Sequence, residues 1–478
     1  MKKSLNFYDA TLIVAGSMIG SGIFIVSSDI ARNTGGPGWL LLSWAIAGII
    51  TIFGALSYGE LAGMFPRAGG NYVYLREAYN PMIGFLYGWT LFMVVQCGTI
   101  AAVAVAFAKY TGVLLPQLSE KNILLEAGSF KISAAQLLGI ACIAFLTFIN
   151  ARGIQYGKAV LRLFTTTKLL ALLGLVVLGI FVFGNMETWN LNLAHFWDAG
   201  TSTADEAGNV VFKTLTAGGL ILAIGVSLTG SLFSCDAWNN VTFISGEIEN
   251  PKRNIPLSLF TGTILVISLY FLANIAYLFL LPFHGEPTAA DAAGRGIQFA
   301  THDRVATAAA SMMFGAPATI IMAVLIMIST FGCNNGIVLA SARLYQAMAN
   351  DGLFFKKMKE NNRFGVPGFA LWIQFLWASV LCLSGKYGDL LDYIMFAVMA
   401  FYILTITGIF ILRKKRPDAE RPYKAFGYPF LPAIYILLAA AFCVCILYMK
   451  PMNAVPGFII VLIGVPVFYF WKNRQAVL

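Results

Sequence analysis

Long apolar segments recur along almost the whole chain and are separated by short polar or charged connections. A helix needs about 20 predominantly apolar residues to cross a bilayer, and twelve segments reach that length. Because backbone groups in hydrocarbon must find partners within their own segment, each is predicted to be an α-helix, which makes the chain an all-α polytopic membrane protein. The predicted spans are 7–31, 38–64, 82–115, 132–150, 160–184, 214–246, 256–282, 315–349, 368–385, 388–412, 427–449 and 454–472.

Two of these spans carry small and polar residues near the middle, where an uninterrupted helix would be apolar. The first interruption is Gly-Ser-Gly at 20–22, and the second is Phe-Ser-Cys-Asp-Ala at 233–237. The length of segment 214–246 by itself indicates a break. As one straight helix the segment would extend about 50 Å, whereas the hydrocarbon core is about 30 Å thick. Interruptions at corresponding places in two halves of a chain are typical of transporter substrate sites.

The two interruptions divide the chain into similar halves. Spans one to five and spans six to ten each begin with an interrupted helix, and because five is odd, the second group enters the membrane from the opposite side. An inverted repeat follows from this count. The predicted organisation is a first repeat at 1–184, a second repeat at 185–412 and an appended helix pair at 413–478.

Composition and charge agree with this interpretation and exclude a water-soluble protein. Of the 478 residues, 59% are hydrophobic and only 11% are charged, with a mean hydropathy of +0.76. Basic residues accumulate on the cytoplasmic side of membrane proteins, and with the N-terminus inside, 22 of the 32 Lys and Arg residues face the cytoplasm. Both termini are therefore predicted to be cytoplasmic, in the plasma (inner) membrane. The net charge of +10 follows from this topology and requires no nucleic-acid partner.

The break in span one offers hydrogen-bonding groups that an intact helix would use internally. Freed amides at the start of the outer half-helix suit a carboxylate, because unpaired donors and the positive end of the helix dipole coincide there. Carbonyls freed at both breaks suit an ammonium group. Together these groups are complementary to a zwitterionic amino acid. For Gly16 and Gly20 taken alone, the alternative is a helix-packing face.

Several polar residues inside predicted spans have two interpretations each. Asp236, the only acid in the central part of span six, either belongs to a site, or faces a water-filled vestibule or caps the second half-helix. Lys168 lies about 12 Å into span five, where it either binds carbonyls at the span-one break or snorkels to the interface. Asn334 and Asn335 in span eight either face the same cavity or bond to neighbouring helices.

Catalytic and metal-binding patterns are not found in the sequence. The three histidines fall in predicted outer loops, and no cysteine pair has the spacing of metal ligands. No nucleophile accompanies the intramembrane charges. The sequence therefore predicts no enzyme, no cofactor and no metal site.

Five segments, taken in their order and spacing, form a specific pattern. They are 20–24, 233–239, the loop 246–256 that reads Gly-Glu-Ile-Glu-Asn-Pro-Lys-Arg-Asn-Ile-Pro, 343–352 and 420–429. With them the chain resembles the amino acid–polyamine–organocation transporters, most closely the L-amino acid transporter family and its bacterial serine/threonine-exchanger relatives. The resemblance implies a LeuT-like five-plus-five inverted repeat, with spans one, two, six and seven rocking against the rest.

The resemblance also implies a substrate site made mostly of backbone groups. Amides at the first break would hold the substrate carboxylate, and carbonyls at both breaks would hold the α-ammonium group. The amides are those of Gly20, Ser21 and Gly22, and the carbonyls are those of Met18, Phe233 and Asp236.

Side chains beside the breaks would form the gate and the pocket. Phe233 would be the gating aromatic, and the other members would be Ile19, Ser234, Cys235 and Trp238. At Ser234 and Cys235 the chain departs from the family's more usual Ala-Tyr pair, which leaves the size of the substrate side chain open.

Lys168 matches the family's span-five lysine, which implies sodium independence and obligatory or near-obligatory exchange. The predicted function is exchange of small neutral amino acids such as alanine, serine or threonine. A proton-coupled symporter of the same fold is the closest alternative. A channel or a membrane-bound receptor is an alternative from a different functional class. The loop after span three contains no cysteine, so no disulfide-linked heavy subunit is expected; the expected partners are the substrate and the lipid bilayer.

Overall fold

The computed structural model describes residues 4–127, 130–384 and 387–476. Within these ranges nine helices are long and apolar enough to cross a membrane, and three shorter apolar helices accompany them. The helical membrane class predicted from the hydropathy pattern is confirmed.

Helices of the first half follow the predicted spans, and the first span is two short helices on either side of the predicted break. Additional short helices lie between the second and third spans and after the fifth. A π-helical turn at Leu91–Val95 joins the two parts of the third span, and another at Leu178–Val182 extends the fifth. The helices are α1 (Phe7–Met18), α2 (Val26–Thr34), α3 (Pro37–Met64), α4 (Asn71–Ala78), α5 (Pro81–Thr90), α6 (Gln96–Leu114), α7 (Ala134–Ala151), α8 (Ile154–Val177) and α9 (Met186–Ala194).

Helices of the second half include the second interrupted segment and two short helices before the eighth span. After α10 the chain continues as a 3₁₀ segment at Trp238–Glu247. The helices are α10 (Ala217–Ser234), α11 (Pro251–Leu280), α12 (Ala292–Arg295), α13 (Val305–Phe314), α14 (Ala318–Asn350), α15 (Gly368–Leu383), α16 (Tyr387–Lys415), α17 (Phe430–Met449) and α18 (Pro451–Ala476).

Two antiparallel hairpins occupy connections that the sequence indicated only as polar loops. Strand β1 (Ile123–Ala127) pairs with β2 (Phe130–Ser133), and β3 (Gly200–Ala204) pairs with β4 (Val210–Thr214). Both hairpins lie in connections assigned to the outer side.

The two interrupted segments lie side by side at the centre of the helix assembly. Helix α1 packs against α8, α11 and α14, and α10 packs against α2, α3 and α17. Helices α6 and α16 complete the surroundings, since α6 packs against both α14 and α16. This arrangement places both breaks in the interior, away from lipid.

Buried ion pairs tie the same elements together toward the N-terminal end of the molecule. The carboxylate of Asp9, which is fully buried, pairs with Lys158 at 2.7 Å and with Arg162 at 2.6 Å, which joins α1 to α8. Glu247 pairs with the buried Arg343 of α14 at 3.1 Å. A buried charge is stable only when it is paired and hydrogen-bonded, so these contacts join α1 to α8 and the segment after α10 to α14.

Candidate substrate site

The first break exposes backbone donors to the interior. Helix α1 ends because Ile19 adopts an extended conformation, and helical geometry resumes only at the 3₁₀ turn Gly22–Phe24. Across the described ranges, no acceptor bonds the amide N–H groups of Gly20 and Ser21. Both residues line a central cavity. Unpaired amides in such a place are tolerated where they meet a ligand.

The second break turns the chain through a left-handed residue. The amide of Cys235 still bonds the carbonyls of Ser231 and Leu232, at 3.0 and 3.1 Å, so the last turn of α10 is helical. Ala237 then takes φ 64° and ψ 6°, a conformation that costs a residue with a Cβ about 1–2 kcal/mol. Asp236 and Ala237 thereby line the same cavity as the first break.

One tyrosine from α11 reaches both breaks. The hydroxyl of Tyr270 lies 3.1 Å from the carbonyl oxygen of Met18 and 3.3 Å from that of Ser234. A hydroxyl carries one proton and a carbonyl oxygen has two lone pairs, so the Met18 carbonyl keeps acceptor capacity for a second donor. Tyr270 thus fixes the distance between the two interrupted segments.

Lys168 occupies the carbonyl cluster of the first break. Its Nζ donates to the carbonyl oxygens of Gly16 and Ile19, each at 2.6 Å, and lies 3.4 Å from that of Ser329. The side chain is 2% exposed, so it does not snorkel to the interface. The Ser329 hydroxyl bonds the Gly20 carbonyl at 2.9 Å. A fixed ammonium therefore satisfies carbonyls that would otherwise be available to a cation.

The central cavity is small and has mixed polarity. Its volume of about 40 Å³ favours a small ligand. Residues of both breaks form part of its lining. Helices α5, α6 and α16 also contribute, with Tyr87, Gln96, Thr99, Val398 and Tyr402.

Phe233 stands between this cavity and a second, outer cleft of about 480 Å³. Phe233 and Ser21 line both spaces. The outer cleft also carries Lys109, Lys121 and Arg304, which the charge distribution assigns to the outside. Phe233 therefore lies at the boundary between the cavity and the outer cleft.

The carboxylate of Asp236 lies close to the hydroxyl of Tyr402. The Tyr402 hydroxyl donates to its Oδ1 at 2.6 Å and lies 3.2 Å from Oδ1 of Asn239. Asp236 therefore joins the second break to α16, and it lies on the cavity wall. Among the described residues, no side chain caps the 3₁₀ segment that follows, so the capping alternative does not describe Asp236.

Three residues assigned to the gate or pocket lie outside the cavity lining. The carbonyl of Ile19 serves Lys168, and its side chain is fully buried. Cys235 is 1% exposed; because α10 continues through its amide, its side chain is rotated about 100° from that of Ser234. Trp238 packs instead against the rings of Tyr58 and Tyr402, at 4.7 and 5.5 Å.

The asparagines of α14 bond to neighbouring helices and do not line the cavity. Nδ2 of Asn334 donates to the carbonyl of Ile100 at 3.2 Å, and Nδ2 of Asn335 donates to that of Gly157 at 3.1 Å. Asn150 completes the set by donating to Oδ1 of Asn335 at 2.9 Å. The helix-to-helix alternative therefore describes both residues.

The two glycines of the Gly-x-x-x-Gly pattern have different surroundings. A methyl group added at Gly16 would meet Oγ1 of Thr165 in α8 at 2.5 Å, whereas one at Gly20 would meet only Sγ of Cys333 at 3.5 Å. Gly16 is thus a packing glycine. Gly20 belongs to the cavity.

Sequence reasoning missed several residues of the site. Gln96, Tyr270 and Tyr402 all contact a break or the cavity. Gln96 carried a usable signal, because an amide inside an apolar span needs a partner; its Nε2 donates to Oδ1 of Asn240 at 2.9 Å. The two tyrosines had no comparable signal, since an aromatic residue in a span is most simply explained by packing.

The fold and the site together define a polytopic membrane protein with a small central cavity between two interrupted helices. A family model described as "Amino acid permease" matches residues 5–470. The chain belongs to the amino acid permease family, and the resemblance to amino acid–polyamine–organocation transporters is confirmed.

Individual relatives are similar along nearly the whole chain. Serine/threonine exchanger SteT of Bacillus subtilis is 28% identical over 481 residues, covering 100% of this chain and 98% of the relative. The human large neutral amino acids transporter small subunit 2 is 29% identical over 478 residues, covering 99% and 82%. The mouse Asc-type amino acid transporter 1 is 28% identical over 487 residues, with the same coverage.

Proposed function

We propose that the protein is a secondary transporter that exchanges small neutral L-amino acids across the plasma (inner) membrane without sodium. The observation that carries this proposal is the convergence of the two breaks on one cavity. Free amides of Gly20 and Ser21 lie on its wall, and the Met18 carbonyl has capacity for a further donor. Only a ligand with adjacent negative and positive groups uses both features.

The substrate would lie with its carboxylate on the amides of the first break. The Gly22 amide would complete that set, and the α-ammonium would bind the carbonyls of Met18, Phe233 and Asp236. The side chain of the bound amino acid would point toward Val398 and Thr99. The free volume of about 40 Å³ supports alanine, serine or threonine over larger residues.

Sodium independence and exchange are proposed from the position of Lys168. The ammonium binds the carbonyls of Gly16 and Ile19, so a fixed charge would do there what a bound sodium ion does in ion-coupled transporters. Because this charge remains on the protein, no ion would be transported across the membrane from that site. Exchange is further supported by the similarity to the serine/threonine exchanger SteT of Bacillus subtilis.

The proposed architecture has twelve spans in a five-plus-five inverted repeat, with repeats at 1–184 and 185–412, an appended pair at 413–478 and both termini in the cytoplasm. It is supported by two interrupted segments packed side by side at the centre. All seven cysteines, each in a described range, are free thiols, and we propose that the protein works without a disulfide-linked subunit.

Counterflow in proteoliposomes tests the proposed function. Purified protein is reconstituted into vesicles that are empty or loaded with L-serine, and uptake of labelled L-alanine, L-serine and L-threonine is followed with and without sodium. Uptake that requires internal substrate and ignores sodium supports exchange. Uptake into empty vesicles driven by a pH gradient would support proton-coupled symport instead.

A further inference from the structure

A cleft of about 740 Å³ opens at the surface, away from the substrate cavity. It lies at the end of the molecule where the N-terminus is, because Leu5 pairs with Ile248 just before α11 begins. Its walls come from the beginning of α11, from α3 and from the connection that precedes α17. The cleft contains no residue of either break.

The part of the cleft that lies beyond the first turn of α11 is apolar and exposed. Leu257 and Phe260, in the second and third turns of α11, are 39% and 37% exposed, and Phe426 opposite them is 67% exposed. Helix α11 is one of the nine that are long and apolar enough to cross the membrane. Exposed apolar residues on such a helix face acyl chains.

The rim of the cleft is basic. Lys252 and Arg253 lie in the first turn of α11, and Lys424 lies across the cleft from them. Lys252 pairs with the exposed Glu420 at 2.7 Å. Over the ranges that the structure describes, neither Arg253 nor Lys424 has an acidic partner, so positive charge in the cleft exceeds negative charge.

We propose that this cleft binds an anionic phospholipid of the membrane leaflet on the N-terminal side. The phosphate would lie between Lys252, Arg253 and Lys424, and an acyl chain would follow Leu257 and Phe260. Basic charge at headgroup depth selects an anionic lipid over a zwitterionic one. The apolar part of the cleft selects a lipid over free phosphate. The lipid would join α11, which packs on α1 and α3, to the connection before α17.

Native mass spectrometry of the full-length protein with equal amounts of phosphatidylglycerol and phosphatidylcholine tests this proposal. Preferential retention of phosphatidylglycerol is expected, and Arg253→Gln/Lys424→Gln is expected to weaken it roughly thirtyfold. The matched control Lys356→Gln/Lys357→Gln removes two exposed charges from a connection predicted to lie on the same side, and it should retain the lipid. Equal weakening in the control would show that the effect comes from general surface charge, and it would contradict the proposed site.

A second arm separates lipid from phosphate and needs no variant. Inorganic phosphate at the same concentration should not displace phosphatidylglycerol; displacement would identify an anion site and contradict the lipid proposal. Phosphatidylglycerol with a photoactivatable acyl chain should label 252–260 or 422–426 in the unaltered protein. Labelling confined to other segments would likewise overturn it. Neither result depends on which solute the protein carries.

Discussion

The backbone of Gly22 lies directly against the side chain of Ser234. A Cβ added at Gly22 would overlap both Oγ and Cβ of that serine, so the two breaks are in contact and only glycine fits at this point of the first one. The contact joins segments more than two hundred residues apart in sequence. It makes the two interruptions a single structural unit.

Gly22→Ala is therefore expected to lower the exchange rate roughly tenfold or more, because overpacking costs about 1–3 kcal/mol. Adding Ser234→Gly should restore part of the rate, since it removes Oγ and Cβ, the two atoms nearest to the new methyl group, and leaves the Cα at 3.3 Å. Gly174→Ala in α8, where nothing lies within 4 Å of the added Cβ, is the control. A double variant no better than Gly22→Ala would contradict the proposed contact.

Lys168→Ala is expected to abolish most exchange and to lower the melting temperature. The substitution leaves the carbonyls of Gly16 and Ile19 without their donor, at about 1–3 kcal/mol for each. Lys158→Gln, on the same helix but paired with Asp9, is the comparison. If Lys168→Ala kept both the rate and the melting temperature, the lysine would have no role at the break.

Mercurial inhibition should act through Cys333 and spare Cys235. Cys333 lines the cavity and its thiol lies 3.1 Å from the Ser17 carbonyl, whereas Cys235 lies outside the lining. Cys333→Ala is expected to remove the part of the inhibition against which substrate protects, and Cys235→Ala to leave it. The opposite pattern in an uptake assay would place Cys235 in the pathway.

Ala237→Gly is expected to stabilise the protein, by about 0.5–1 kcal/mol, because glycine adopts a positive φ without a Cβ penalty. The residue has φ 64°. Ala440→Gly, the same change inside α17, should have the opposite effect, since glycine weakens a helix interior. Thermal denaturation in detergent measures both. A lower melting temperature for Ala237→Gly would argue against the left-handed turn.

The breaks could be predicted from sequence because their causes are local. Glycines at 20 and 22, and the excess length of 214–246, are visible in the chain itself. The hairpins could not be predicted in the same way, because strands in outer connections have no hydropathy pattern as strong as that of a span. The break predicted in span one is observed as the gap between two helices, α1 and α2.

The site could be predicted where it depends on backbone and not where it depends on side-chain direction. Gly20 and Ser21 line the cavity through their positions in the break. Cys235 does not, because one further residue of helix rotates its side chain away. Tyr270 and Tyr402 come from distant helices, and their contacts follow from packing that no single segment encodes.

Substrate analogues that lack one charged group test the central account most directly. In the counterflow assay, external L-alanine is compared with alaninamide, which has no carboxylate, and with N-acetylalanine, which has no ammonium group. The account predicts that L-alanine exchanges with internal L-serine, whereas neither analogue exchanges or competes at the same concentration. Competition by either analogue equal to that of L-alanine would contradict a site built from the amides of one break and the carbonyls of both.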